Sequence, residues 1–134
     1  MILLHVTVVA LYGLAALALW PAAARQATPA TPGLGLPAGA AAWLLPAALL
    51  LHAWLGWQEV VTAEGLDLSF ANAVSVVAGL IAVVAWVSGL LATLPAVGTV
   101  VLPVAAIASL LPALFASPHR FEYGGASLAT AHVA

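Results

Sequence analysis

Apolar residues run along this chain in four long stretches broken by short polar punctuation, and that pattern predicts helices that cross a membrane. A spanning helix needs about 20 mostly apolar residues. The stretches cover about residues 1–24, 40–57, 70–94 and 97–116. Between the first two, Thr28-Pro29, Thr31-Pro32-Gly33 and Pro37 mark a loop. Gln58 to Ser69 carries Glu59, Glu64 and Asp67 and reads as a polar connection. Pro95 and Gly98 make a tight turn, and Ser117 to Gly125 is polar again. From about Ala126 the chain turns apolar and ends at Ala134, which is the length of a helix's opening turns only. The expected fold class is all-α: a polytopic transmembrane helix bundle with four full spans and the start of a fifth. Residues 1–134 are then expected to be the N-terminal part of one transmembrane domain in a longer protein.

Composition narrows the solvent. Of the 134 residues, 66% are hydrophobic and only 4% charged, against about 25% charged in soluble domains. Mean hydropathy is +1.22. So few charges cannot give a globule a polar surface, whereas lipid requires none. The net charge of -2, with the two basic residues Arg25 and Arg120 far apart, excludes a basic patch for nucleic acid. With no cysteine there is no disulfide framework, thiolate metal site or Cys nucleophile.

The first stretch has the small residues Ala22-Ala23-Ala24 of a signal-peptide cleavage site. It lacks a preceding Lys or Arg, however, and its apolar run exceeds the usual length of roughly 7–15 residues, so a retained span is the better reading. Ala71, Ser75 and Gly79 recur every four residues, a small-residue face that lets helix backbones approach closely in lipid, although a chain this rich in Ala and Gly also yields such stripes by chance. Pro46, Pro103 and Pro112 fall inside spans; each removes an amide donor, which membranes tolerate when neighbouring groups satisfy the freed carbonyls.

Alternating traversal sorts the polar residues. If the N-terminus lies on side S, then the second and fourth spans end there and the third and fifth begin there. His5, His52, His119 and His132 all fall at or near side S, together with Glu59, Glu64, Asp67, Arg120 and Glu122; Arg25 falls opposite. Trp54 and Trp57 mark the S interface, and Trp20, Trp43 and Trp86 the other. One basic residue on each side leaves orientation undecided by charge.

Intramembrane ionisable residues are costly and carry a functional hypothesis by default. Imidazole is also a common axial ligand of haem iron. His52, in Leu51-His52-Ala53-Trp54, and His132, in Thr130-Ala131-His132-Val133, are the two candidates; bonding to a neighbouring helix is the alternative role of either. His5 reads as interfacial and His119, in Pro118-His119-Arg120, as a solvated loop residue. No histidines sit four apart on one helix as a zinc pair, the acidic residues lack a calcium-loop pattern, no Gly-rich phosphate loop with Lys is present, and no serine has a defensible triad.

Several segments give the chain a family likeness: Leu50-Leu51-His52-Ala53 and the short polar loop after it, Leu66-Asp67-Leu68-Ser69-Phe70-Ala71-Asn72-Ala73, Leu102-Pro103-Val104, and Ser127-Leu128-Ala129-Thr130-Ala131-His132-Val133. In their order and spacing, from about Leu49 onward, the chain resembles the cytochrome c assembly protein family, which includes the haem-handling membrane proteins of cytochrome c maturation; it looks most like the HemX-like and YpjD-like branch. The resemblance implies a bacterial inner-membrane protein that binds or presents haem at the periplasmic face, with side S and the N-terminus outward, acting without catalytic turnover alongside other cytochrome c maturation proteins. His132 matches the histidine that ligates haem iron in haem-handling members. The family's tryptophan-rich external segment and second external histidine have no counterpart here. His52 aligns with a histidine of the YpjD-like branch that has no established ligand role. Arg120 is a further candidate, for a haem propionate, because guanidinium matches carboxylate geometry; a solvated loop arginine is its ordinary alternative. The rival functions are a proton- or solute-coupled transporter subunit, with the S-side polar groups lining a path, and a structural or regulatory membrane subunit.

Overall fold

The computed structural model describes residues 2–25, 38–63, 65–91, 95–115 and 120–122, and the side chains of 2–20, 43–63, 65–90 and 97–115. Four helices, α1 (Ile2–Arg25), α2 (Ala38–Val60), α3 (Phe70–Leu91) and α4 (Pro95–Leu114), are joined by a small sheet of β1 (Val61–Thr62), β2 (Gly65–Asp67) and β3 (Arg120–Glu122). Their bounds match the four expected stretches to within a few residues. The expected start of a fifth span lies outside the described residues.

α1, α3 and α4 are each long and apolar enough to cross a membrane. α1, at 24 residues, is about 36 Å long against a hydrocarbon core of about 30 Å. α2 has 23 residues and carries the polar residues His52, Gln58 and Glu59 in its second half. Three apolar helices of this kind fit a membrane protein.

The distribution of side chains agrees. The buried set is dominated by small residues, among them Ala15, Ala48, Ala78, Ala82, Ala105 and Ala108, while Leu3, Leu50, Val84, Val100, Ile107 and Phe70 point outward. In water this apolar exterior would be a large aggregation surface. In lipid it costs nothing, and packing small residues between helices brings backbones close. Of the expected small-residue face of α3, Ala71 and Ser75 are buried and Gly79 lies half-buried against the His52 ring, and the neighbouring Ala78 and Ala82 are buried with them. Trp54 and Trp57 near one end, and Trp20 and Trp43 near the other, expose their rings outward, as interfacial tryptophans do.

The helices form a ring in which each packs on its neighbours in sequence and α1 closes against α4. α1 and α2 run antiparallel in a fixed register. His5 meets Glu59 and Tyr12 meets His52, so a step of seven residues on one helix is answered by seven on the other. One step further, Leu19 and Leu45 both pack against the core. A seven-residue step is two helical turns, which keeps the rungs on one face.

The sheet ties the S-side connections together. β1 and β2 form a hairpin with Thr62 opposite Gly65, and β3 adds antiparallel to β2 with Asp67 opposite Arg120. The Thr62 hydroxyl donates to the Gly65 carbonyl at 2.7 Å, and Gly65 has φ 154°, where a Cβ would be strained. These strands differ from the purely polar connection expected for Gln58 to Ser69. Runs of two or three residues carry no alternation long enough to read, and β3 is more than fifty positions from its partner.

Candidate functional site

Two polar clusters cross the bundle near side S, each centred on a histidine. The outer one joins three helices. His5, at 1% exposure, directs Nδ1 to the Ser109 carbonyl at 2.7 Å and Nε2 to Glu59 Oε1 at 2.7 Å. A carbonyl can only accept, so Nδ1 carries the hydrogen and donates. Ser109 lies in the turn that precedes Pro112, where a proline ring disturbs the helix's own bonding, and α1 supplies a donor to that turn. Burial pushes the Glu59 carboxyl above its ordinary value; His5 pulls it back and the charge of Asp67 pushes it the same way as burial.

The inner cluster lies two turns deeper. His52 Nδ1 is 3.0 Å from the Tyr12 hydroxyl and His52 Nε2 is 3.0 Å from Ser75 Oγ, joining α1, α2 and α3. A neutral imidazole has one N–H and one lone pair, and each hydroxyl can donate or accept, so both contacts are satisfied by one proton on the ring. The ring stands edge-on to Tyr12, with centroids 5.7 Å apart, and lies against Gly79, where a Cβ would come within 3.3 Å of Cε1. The glycine is there because the imidazole needs the space. Val8 and Leu55, both fully buried, occupy the turns between the two clusters.

A third group anchors the start of α3. The Ser69 amide donates to Asp67 Oδ1 at 3.0 Å, and Ser69 caps the helix, its Oγ accepting from the Asn72 amide at 3.4 Å. Asn72 Nδ2 donates to the carbonyls of Glu59 and Asp67 at 3.3 and 3.0 Å, fastening α3 to the end of α2. Among the described residues every buried side-chain nitrogen and oxygen has a partner.

Beside the inner cluster an apolar cavity of about 390 Å³ opens between α2 and α3, lined by Leu49, Ala53, Trp57, Val76, Leu80 and Val83, with Tyr12 and His52 also reaching it.

Of the sequence candidates, His52 is buried and bonded at both nitrogens, in the role of a histidine tied to neighbouring helices. His5, which reads as interfacial in the sequence, is among the most buried side chains, because Glu59 and the Ser109 carbonyl give it partners inside the bundle. Arg120 begins β3, its backbone opposite Asp67. His119 and His132 lie outside the described residues. The haem group implied by the family likeness needs a free ring nitrogen as axial ligand, and neither described histidine offers one, so these residues do not by themselves fit it. Tyr12 and Ser109 have no polar signal of their own in the sequence. A hint for Tyr12 is its seven-residue spacing from His5, matched by the same spacing from His52 to Glu59.

Comparison with known protein families, with curated proteins and with solved structures gives no match.

Proposed function

We propose that this chain is the membrane-embedded scaffold of a haem-handling protein of the cytochrome c assembly type, in a bacterial inner membrane with side S facing the periplasm. The stretch of α2 up to about Trp57 is its fourth span, and Gln58 and Glu59 lie beyond it at side S. One observation carries the reading beyond the likeness itself. The polar residues of the likeness, His52, Asp67, Ser69 and Asn72, come from α2, β2 and the start of α3, and all of them make hydrogen bonds toward the side-S end of the bundle. Their shared task is to hold a rigid platform there. The segment bearing His132 follows β3, which is paired to that platform through β2. His132 is the residue proposed to ligate iron, Arg120 a propionate partner, and the buried histidines brace the scaffold.

The separation of the two histidine clusters by Val8 and Leu55 weighs against the transporter alternative. A proton path needs a chain of groups within hydrogen-bond reach, and two turns of apolar packing, about 10 Å, interrupt it.

The test is absorption spectroscopy of the complete gene product, purified after expression with ample haem supply. A Soret band is expected in the unmodified protein and its loss or shift in His132→Ala. An unchanged band and unchanged haem content in the variant remove His132 from the site. No haem in the unmodified protein counts against the reading as a whole.

A further inference from the structure

We propose that His5 and Glu59 together form a binding site for one proton, reached from the water at side S, whose occupancy clasps α1, α2 and α4. His5 Nδ1 must carry a hydrogen, because its partner is the Ser109 carbonyl at 2.7 Å. The Nε2–Oε1 distance is also 2.7 Å, the length of a charge-assisted bond. Two bare lone pairs would repel at that separation, so one hydrogen lies on this line. Whether it sits nearer nitrogen or oxygen, the pair is neutral as a whole and the bond is intact. Removing it leaves a carboxylate facing an imidazole lone pair, and the contact between α1 and α2 fails.

The entrance is Glu59. Its side chain is 19% exposed, while that of His5 is 2% exposed, so exchange with water passes through the carboxylate. Among the described residues, the other charged or titratable groups near the pair are Asp67, whose charge acts on Glu59, and His52, which lies two turns deeper and itself feels His5. α3 and α4 contribute none: neither sequence contains a titratable residue, and α4 offers only its carbonyl. The site is therefore a two-residue unit, and such a unit titrates in steps that belong to the pair and not to either member.

Glu59→Gln is the informative variant. Its amide supplies permanently the N–H that the loaded site donates toward Nε2, in nearly the same shape, so the clasp holds without a titrating proton. Solid-state NMR of the chain in lipid bilayers, with isotope labels in the histidine rings and glutamate carboxyls, reads both partners during a pH titration. His5 Nδ1 is expected to stay protonated throughout, and His5 Nε2 and the Glu59 carboxyl to change together at one midpoint. Amide exchange in the first turns of α1 is expected to rise above that midpoint in the unmodified protein and to stay flat in Glu59→Gln. Two separate midpoints, or an Nδ1 that loses its hydrogen first, would overturn the shared site. Equal exchange on both sides of the midpoint would overturn the clasp.

Discussion

Replacing Gly79 by alanine puts one methyl group against the His52 ring, and the consequence can be worked from distances. The new Cβ would stand 3.3 Å from Cε1 and 3.4 Å from Nδ1, inside the roughly 3.5–4.0 Å optimum for carbon contacts. The ring must retreat by a few tenths of an ångström. It is held at both nitrogens by bonds of 3.0 Å, and a shift of about 0.3 Å takes one of them past the usual range of roughly 2.7–3.2 Å. Overpacking of this kind costs about 1–3 kcal/mol. Against it stands the helix preference for alanine over glycine, about 0.8–1.0 kcal/mol. The balance is a net destabilisation of about 0–2 kcal/mol. The sign reverses once the ring is gone: in a His52→Ala background the clash vanishes and Gly79→Ala stabilises by about 1 kcal/mol from helix preference alone. The assay is a double-mutant cycle on reversible unfolding in mixed micelles, followed by far-ultraviolet circular dichroism, with an expected coupling of about 1–3 kcal/mol. Equal effects of Gly79→Ala in both backgrounds would refute the packing of glycine against the imidazole.

Three further outcomes are expected. The fold favours a neutral Glu59 carboxyl, so its contribution is fully present below the ordinary value of 4.5 and declines as pH climbs through its raised folded value; unfolding measured from acid to mildly alkaline pH should show this slope, and Glu59→Gln should flatten it. Asn72→Ala removes the two side-chain N–H bonds that fasten α3 to the end of α2 and to β2 and is expected to cost about 1–2 kcal/mol, with faster amide exchange at the start of α3; no change in either would show that the bonds do not anchor the helix. Single cysteines at Ile2 and Ala63, both exposed, should be labelled from one side of the membrane and a cysteine at Ala27 from the other; opposite labelling of the first two would mean that α1 and α2 do not both cross.

From the sequence alone one reads the apolar, helical character of the chain, the approximate bounds of the four described helices, and the end of the bundle at which His5, His52, Glu59 and Asp67 gather. Each of these follows from hydrophobic length and from the rule that a chain crossing a slab alternates sides, and neither requires knowledge of packing. The small-residue face of α3 was also legible, since a four-residue spacing maps directly onto one helix face. Which polar groups meet is set by the register between helices, and that register is not legible in any one segment. Tyr12 looks like one more bulky apolar residue until the α1–α2 register sets it opposite His52. Ser109 matters through a backbone carbonyl, which no side-chain pattern reports. His5 looks interfacial by its place near the N-terminus, yet it is buried because Glu59 and the turn before Pro112 supply its hydrogen bonds. The strands depend on pairing across more than fifty residues. Helix length is a property of a segment. The pairing of buried polar groups is a property of register between segments, and in lipid that register is set by close packing and by the cost of leaving a polar group unpaired.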